Sequence, residues 1–135
     1  MKGYKHTVHY YETDKMQVTH HSNYIRFMEE ARVYYLAEMG WPYDKMEAEG
    51  IISPVVSISC DYKKPTAFAD EIEIELKVAE VSRAKMKFQY TMTVAGTVVC
   101  TAESLHCFVS EEGRPISIQK QYPEFYSVLT ALCEE

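Results

Sequence analysis

Between Tyr10 and Arg32 the chain reads YYETDKMQVTHHSNYIRFMEEAR. A lone carboxylate, Asp14, sits on a turn, and seven residues later His21 closes a histidine pair just ahead of Ser22-Asn23, where a long helical pattern begins. A helix start carries unpaired N–H groups and the positive end of the helix dipole, so it is a natural seat for an oxyanion. An acid, Asp14, an imidazole, His21, and a helix N-terminus in one short loop point to acyl-transfer chemistry. Asp14 also has a plainer reading as a turn residue bonded to its own backbone. His20 reads as an exposed or cap-adjacent histidine. A metal centre built from His9, His20 and His21 is not expected, because adjacent histidine side chains rarely converge on one ion and a third ligand is missing.

The elements that must position this loop follow from periodicity. Residues 5–11 alternate and are rich in aromatic and β-branched types, which predicts a first strand. Tyr24, Phe27, Met28, Ala31, Tyr35 and Met39 then recur at helical spacing until Gly40 and Pro42 end the helix. Arg26 and Glu30, four apart, are placed to pair, and Glu29 and Glu30 lie near the helix start, where acids favour the dipole. So much of this helix is apolar that a sheet is expected to wrap it.

A short helix over 43–49 leads to Gly50, and the period becomes two. Val56, Ile58, Cys60 and Tyr62 share one face of a strand that ends at Lys63-Lys64-Pro65. Ile72, Ile74, Leu76 and Val78 define a second, and Met86, Phe88, Tyr90, Met92 and Val94 a third, with charged or polar residues between. Turns fall at 81–84 and 95–97. The strand continuing to Val109 alternates less clearly, as a strand covered on both faces would. Ile116–Ile118 reads as a short edge strand and 121–133 as a closing helix. The layout is α+β, with one helix packed on one antiparallel sheet.

At 135 residues the chain is expected to form one domain, 1–135, with a substantial core. A net charge of −6 argues against nucleic-acid or membrane-surface partners. Eleven tyrosines suggest a broad amphipathic surface such as a subunit interface or ligand groove. The N-terminus lacks a signal-peptide h-region and no segment approaches a membrane span, so the expected setting is the cytoplasm. Four scattered cysteines without metal or redox spacing then read as reduced thiols.

The string Tyr10-Tyr11-Glu12-Thr13-Asp14, followed by Val18, His21, Asn23-Tyr24 and Glu29-Glu30-Ala31-Arg32, resembles the hotdog-fold acyl-CoA thioesterases of the 4-hydroxybenzoyl-CoA thioesterase-like branch. The order of elements extends the resemblance along the whole chain. It implies an antiparallel sheet wrapped around one long central helix. It implies that Asp14 attacks the thioester carbonyl or activates water, that the backbone N–H of His21 is the oxyanion donor, that Tyr10 lines the pocket, and that Glu29 holds the loop. Arg83 and Lys85 lie where relatives place basic groups near the coenzyme A phosphates, and Lys63 and Lys64 form a second candidate pair. Coenzyme A is part of the substrate, so no cofactor is expected. Homodimers or homotetramers with active sites between subunits are implied as well. Relatives commonly carry small or Gly residues after the Asp, whereas this chain has Lys15-Met16-Gln17. Two alternatives share the groove: hydrolysis of acyl groups on acyl carrier protein, which an acidic chain fits poorly, and a non-catalytic acyl-CoA-binding module. The local pattern of a hotdog dehydratase is lacking.

Overall fold

The computed structural model describes residues 1–134. Strands β1 (Tyr4–Thr7), β2 (Val55–Tyr62), β3 (Glu71–Val81), β4 (Lys85–Val94) and β5 (Thr97–Cys107) form one antiparallel sheet in the order β1-β3-β4-β5-β2. Helix α1 (Ser22–Glu38) lies across its inner face, followed by α2 (Tyr43–Ala48). Two further helices, α3 (Ile118–Gln121) and α4 (Pro123–Cys133), close the core. No helix among the described residues is long and apolar enough to cross a membrane.

The inward stripe of α1 is Tyr24, Phe27, Met28, Ala31, Tyr35 and Leu36, all buried, which is the spacing a 3.6-residue period dictates. It meets Ile72, Ile74, Leu76 and Val78 of β3 and Met86, Phe88, Tyr90 and Met92 of β4 in a single apolar cluster. Tyr35 donates its hydroxyl to the Ile74 carbonyl and accepts from the Tyr4 N–H, clamping helix to sheet at the β1 end. At the other end Phe125 of α4 stacks between Trp41 and Phe108. The outward face of α1 leaves Ile25, Val33 and Tyr34 exposed, so within one chain the sheet covers only one side of the helix.

Several local expectations are corrected. The first strand stops at Thr7, and Tyr10–Glu12 form a 3₁₀ turn because the Glu12 carboxylate folds back onto the His9 N–H. A β-bulge lies between Val55 and Ser57, so Val56 drops out of the inward row and is exposed. β5 is covered on one face, with Cys100, Ala102, Ser104 and His106 buried in alternation. Ile118 begins α3 instead of ending an edge strand, because the Ser117 hydroxyl accepts from the Lys120 N–H as a cap. The closing helix breaks at Tyr122, whose backbone Pro123 forces out of the helical region. Arg26 pairs with Asn23 Oδ1 at 3.0 Å, leaving Glu30 to another partner.

His106 on β5 is fully buried, and burial, with the Arg32 charge nearby, holds its imidazole down from 6.5 to about 4, against an opposing pull from the Ser53 backbone. The unfolded chain takes up a proton below pH 6.5 that the native chain refuses until about pH 4. Stability is therefore lost as pH falls through that window, by about 1.4 kcal/mol per pH unit at most. His106→Asn is expected to flatten this dependence in urea unfolding series between pH 6.5 and 4. An unchanged slope would assign the acid sensitivity to other groups.

Candidate active site

The loop between β1 and α1 is organised by one buried side chain, Glu12, which is 5% exposed. Its Oε1 lies 2.8 Å from His6 Nε2 and accepts the His9 N–H at 2.7 Å. The Glu12 carbonyl accepts the His20 N–H at 2.8 Å and Asn23 Nδ2 at 2.9 Å. His6 packs its ring on Phe27 and presents Nδ1 to Glu30 Oε2 at 3.2 Å. One residue thus ties β1, the 3₁₀ turn and the first turn of α1 together. The sequence reading overlooked His6 and Glu12; a carboxylate and an imidazole six apart, flanking a predicted strand end, were the available signal. Glu30, not Glu29, is the helix acid that holds the loop. His6, His9 and Glu12 bring ligand-type atoms within 4.8 Å of one another, but the His6–Glu12 contact is already a short hydrogen bond.

Asp14 sits where this frame places it. Its N–H and the Val18 carbonyl close the loop at 2.8 Å, and the Thr13–Thr19 bridge secures the base. Asp14 Oδ1 accepts the Met16 N–H at 2.8 Å, so the turn role is real, and it occupies only one oxygen. Oδ2 has no hydrogen-bond partner among the described residues. Gln17 adopts a left-handed φ of 67°, the conformation that glycine serves in such turns. The bulkier Lys15-Met16-Gln17 segment is accommodated outward, with Met16 80% exposed.

His21 precedes α1 directly, and among the described residues its own N–H has no acceptor. His20 caps the helix: its Nδ1 accepts the Ser22 N–H at 3.2 Å and faces the Ser22 hydroxyl at 2.8 Å. The two imidazoles stack at 4.3 Å. Asp14 and His21 line one groove of ≈ 350 Å³ with Val18, Tyr24, Tyr62 and Lys63-Lys64. The lysine segment is fixed there by Thr66, which bonds Thr19 and the Tyr24 hydroxyl, while Lys63 and Lys64 N–H groups both reach the Val99 carbonyl. Tyr62 donates to the His21 carbonyl at 3.3 Å. Burial and the neighbouring Cys60 push its phenol up to about 12, so it stays a neutral donor at neutral pH.

The remaining candidates lie elsewhere in the single chain. Tyr10 is 76% exposed on the 3₁₀ turn, edge-on to Phe68 at 5.7 Å, and is not among the groove residues. Arg83 and Lys85 are exposed on the β3–β4 hairpin, also away from this groove. All four cysteines are free thiols.

The profile of the thioesterase-like superfamily matches residues 8–131. The chain belongs to that family. A protein of Aquifex aeolicus named provisionally as an esterase is 38% identical over 121 residues, spanning 90% of this chain and 94% of its own. A Bacillus subtilis protein named provisionally as an acyl-CoA thioesterase is 32% identical, spanning 89% and 88%. Among solved structures, a DHNA-CoA thioesterase from Staphylococcus aureus superposes with a TM-score of 0.90 at 28% identity, covering 95% of this chain and 87% of its own. The fold is the hotdog fold, with α1 as its central helix, and the protein is a thioester hydrolase.

The left-handed Gln17 gives a direct check on the loop. Gln17→Val, β-branched at positive φ, is expected to cost about 1–2 kcal/mol in thermal unfolding. Gln17→Gly is expected to be neutral or slightly stabilising. Equal melting temperatures for the two variants would show that the loop does not hold this backbone conformation in solution.

Proposed function

We propose that the protein hydrolyses an acyl-CoA thioester to the free acid and coenzyme A, with Asp14 as nucleophile or general base. The observation that carries this reading is the shared groove: a carboxylate with one free oxygen, the unpaired N–H of His21 at the head of α1, and two lysines. The relatives named as a DHNA-CoA thioesterase and, provisionally, as an acyl-CoA thioesterase support this class of thioester.

A thioester carbonyl receives little donation from sulfur, and the thiolate leaves readily, so a serine triad is unnecessary. The carbonyl oxygen lodges on the His21 N–H, where the dipole of α1 stabilises the developing oxyanion; such a donor is worth about 3–4 kcal/mol at the transition state. Asp14 Oδ2 attacks the carbonyl carbon, or takes the proton of an attacking water, for a gain of about 10²–10⁴ in the latter case. The coenzyme A thiolate then departs. The water route leaves the free acid directly; the nucleophilic route leaves an acyl-Asp14 anhydride that a water hydrolyses to the free acid and the restored carboxylate. Lys63 and Lys64 are the cations on this groove best placed for its phosphates within one chain. Arg83, Lys85 and Tyr10 serve the same chemistry from a second subunit, in a homodimer or homotetramer paired through the exposed β2 edge. Val55, Val56 and Tyr62 on that edge are 46%, 51% and 48% exposed, an open strand that calls for cover. No cofactor enters the reaction, and a cytoplasmic setting goes with it.

Asp14→Asn keeps the turn geometry and is expected to lower kcat for thiol release by 10² or more while acyl-CoA still binds. Undiminished turnover would remove Asp14 from the mechanism. Charge reversal at Lys63 and Lys64 is expected to raise KM with kcat held, read against the same reversal at Arg83 and Lys85. A KM rise from the second pair alone would assign the phosphates to the hairpin.

A further inference from the structure

A second cavity, of ≈ 370 Å³, lies on the side of α1 carrying Glu29 and Arg32, against β2, β5 and the segment before β2. Its floor is Arg32, Ser53 and His106, with Tyr43 beside them and Val55 and Glu29 at the exposed rim. Three buried polar atoms in the described residues lack a hydrogen-bond partner: Arg32 Nε, Ser53 Oγ and His106 Nδ1. All three residues line this one cavity. Arg32 is 4% exposed and His106 1%, so neither is rescued by bulk water. No carboxylate among the described residues lies within the 4.0 Å of an ion pair with Arg32. A buried, unpaired guanidinium is costly unless something compensates it.

The hydrogen-bond chain behind the cavity fixes its polarity. Arg32 can only donate, and its Nη1 gives a proton to the Tyr90 hydroxyl at 3.1 Å. Tyr90 is buried, and the acceptor within reach of its own proton is Ser104 Oγ at 2.6 Å. Ser104 must then donate onward to His106 Nε2 at 2.8 Å. That leaves the imidazole proton on Nδ1 at the cavity wall, where the nearby Ser53 backbone falls short of hydrogen-bond geometry. Arg32 Nε–H, His106 Nδ1–H and the Ser53 hydroxyl are therefore three donors converging on one space, with a single positive charge among them.

From this convergence we infer that the cavity is a binding site for a small carboxylate. A planar carboxylate suits the open edge of a guanidinium and can accept from the imidazole at the same time. A single cation balances a monoanion; a phosphate dianion would retain excess charge beside Glu29 on the rim. The volume lies at the lower end of ligand pockets, about 300–1,000 Å³, enough for a small acid. The carboxylate arrives either as a free acid or as the far end of the acyl group of a thioester, and only the second source rests on the proposed hydrolase reading.

Two arms separate these sources. In the first, benzoate and its neutral isostere benzamide are titrated into the wild-type protein, following the Arg32 Nε–H and His106 ring NMR signals. Benzoate is expected to shift both and benzamide neither, and Arg32→Met is expected to weaken benzoate binding about tenfold or more. In the second, kcat/KM is compared for glutaryl-CoA and hexanoyl-CoA. A preference for glutaryl-CoA that falls about tenfold in Arg32→Met assigns the site to the acyl end. Shifts in the first arm without that preference assign it to a free acid. If Arg32→Met fails a circular-dichroism check of folding, His106→Asn replaces it in both arms. Unshifted Arg32 and His106 signals at saturating benzoate, with no glutaryl-CoA preference, overturn the site. Because the first arm needs no turnover, loss of the hydrolase reading leaves it intact.

Discussion

The buried carboxylate of Glu12 is the constraint on which the site depends. A carboxylate taken out of water must be compensated by charge-assisted hydrogen bonds, and this one finds them in the His6 imidazole and the His9 N–H. Satisfying it turns the chain into a 3₁₀ turn right after β1, which then brings the Glu12 carbonyl to His20 and Asn23 at the start of α1. The Asp14 loop is held at both ends as a result. Backbone hydrogen bonds at both ends hold its carboxylate beside the helix start, although the loop carries a left-handed glutamine. Removing one partner of such a buried pair strands the other, a loss on the order of 3–5 kcal/mol, and the loop's placement depends on that coupling.

The central helix serves both of the molecule's polar regions. Its N-terminus faces the Asp14 groove, where an exposed backbone N–H and two lysines favour negative charge. Nearly three turns on, Arg32 carries a positive charge on the core side of the same helix, linked by hydrogen bonds through Tyr90 and Ser104 to His106 on β5. Between them, Phe27, Met28 and Ala31 make the apolar contact that holds the helix on the sheet. Thus an apolar stripe fixes the helix, and polar residues one step to either side of it line the two cavities. The outer face, with Ile25, Val33 and Tyr34 exposed, and the bulged β2 edge remain uncovered in a single chain.

Thioester chemistry suits so spare a site. The ester is already activated and its leaving group already good, so on the proposed reading the protein need only hold one carboxylate, Asp14, beside one oxyanion donor, the His21 N–H. A loop pinned by a buried glutamate and a helix pinned by an apolar stripe are enough to fix that distance. The tyrosine-rich composition is spent in two ways: Tyr24, Tyr35 and Tyr90 are buried with their hydroxyls bonded, whereas Tyr10, Tyr11 and Tyr62 remain exposed.

The sequence by itself determined the elements whose residues carry a clean period. β3 alternates from Ile72 to Val78 and β4 from Met86 to Met92, and α1 repeats at helical spacing until Gly40, because burial on one face selects side chains at that period. That Asp14 and His21 come to line one groove was legible for a related reason: a loop acid just before a helix start is a local pattern. What only the tertiary structure decided depends on partners distant in sequence or on the backbone's local geometry. The early end of β1 follows from a side chain folding back, the loss of Val56 from a bulge against β5, and the α3 cap from one serine hydroxyl. No spacing rule joins Arg32 to Ser53 and His106. They meet because α1 crosses the sheet where β5 and the segment before β2 run beneath it, and side-chain convergence across such a crossing is a property of packing, not of sequence period.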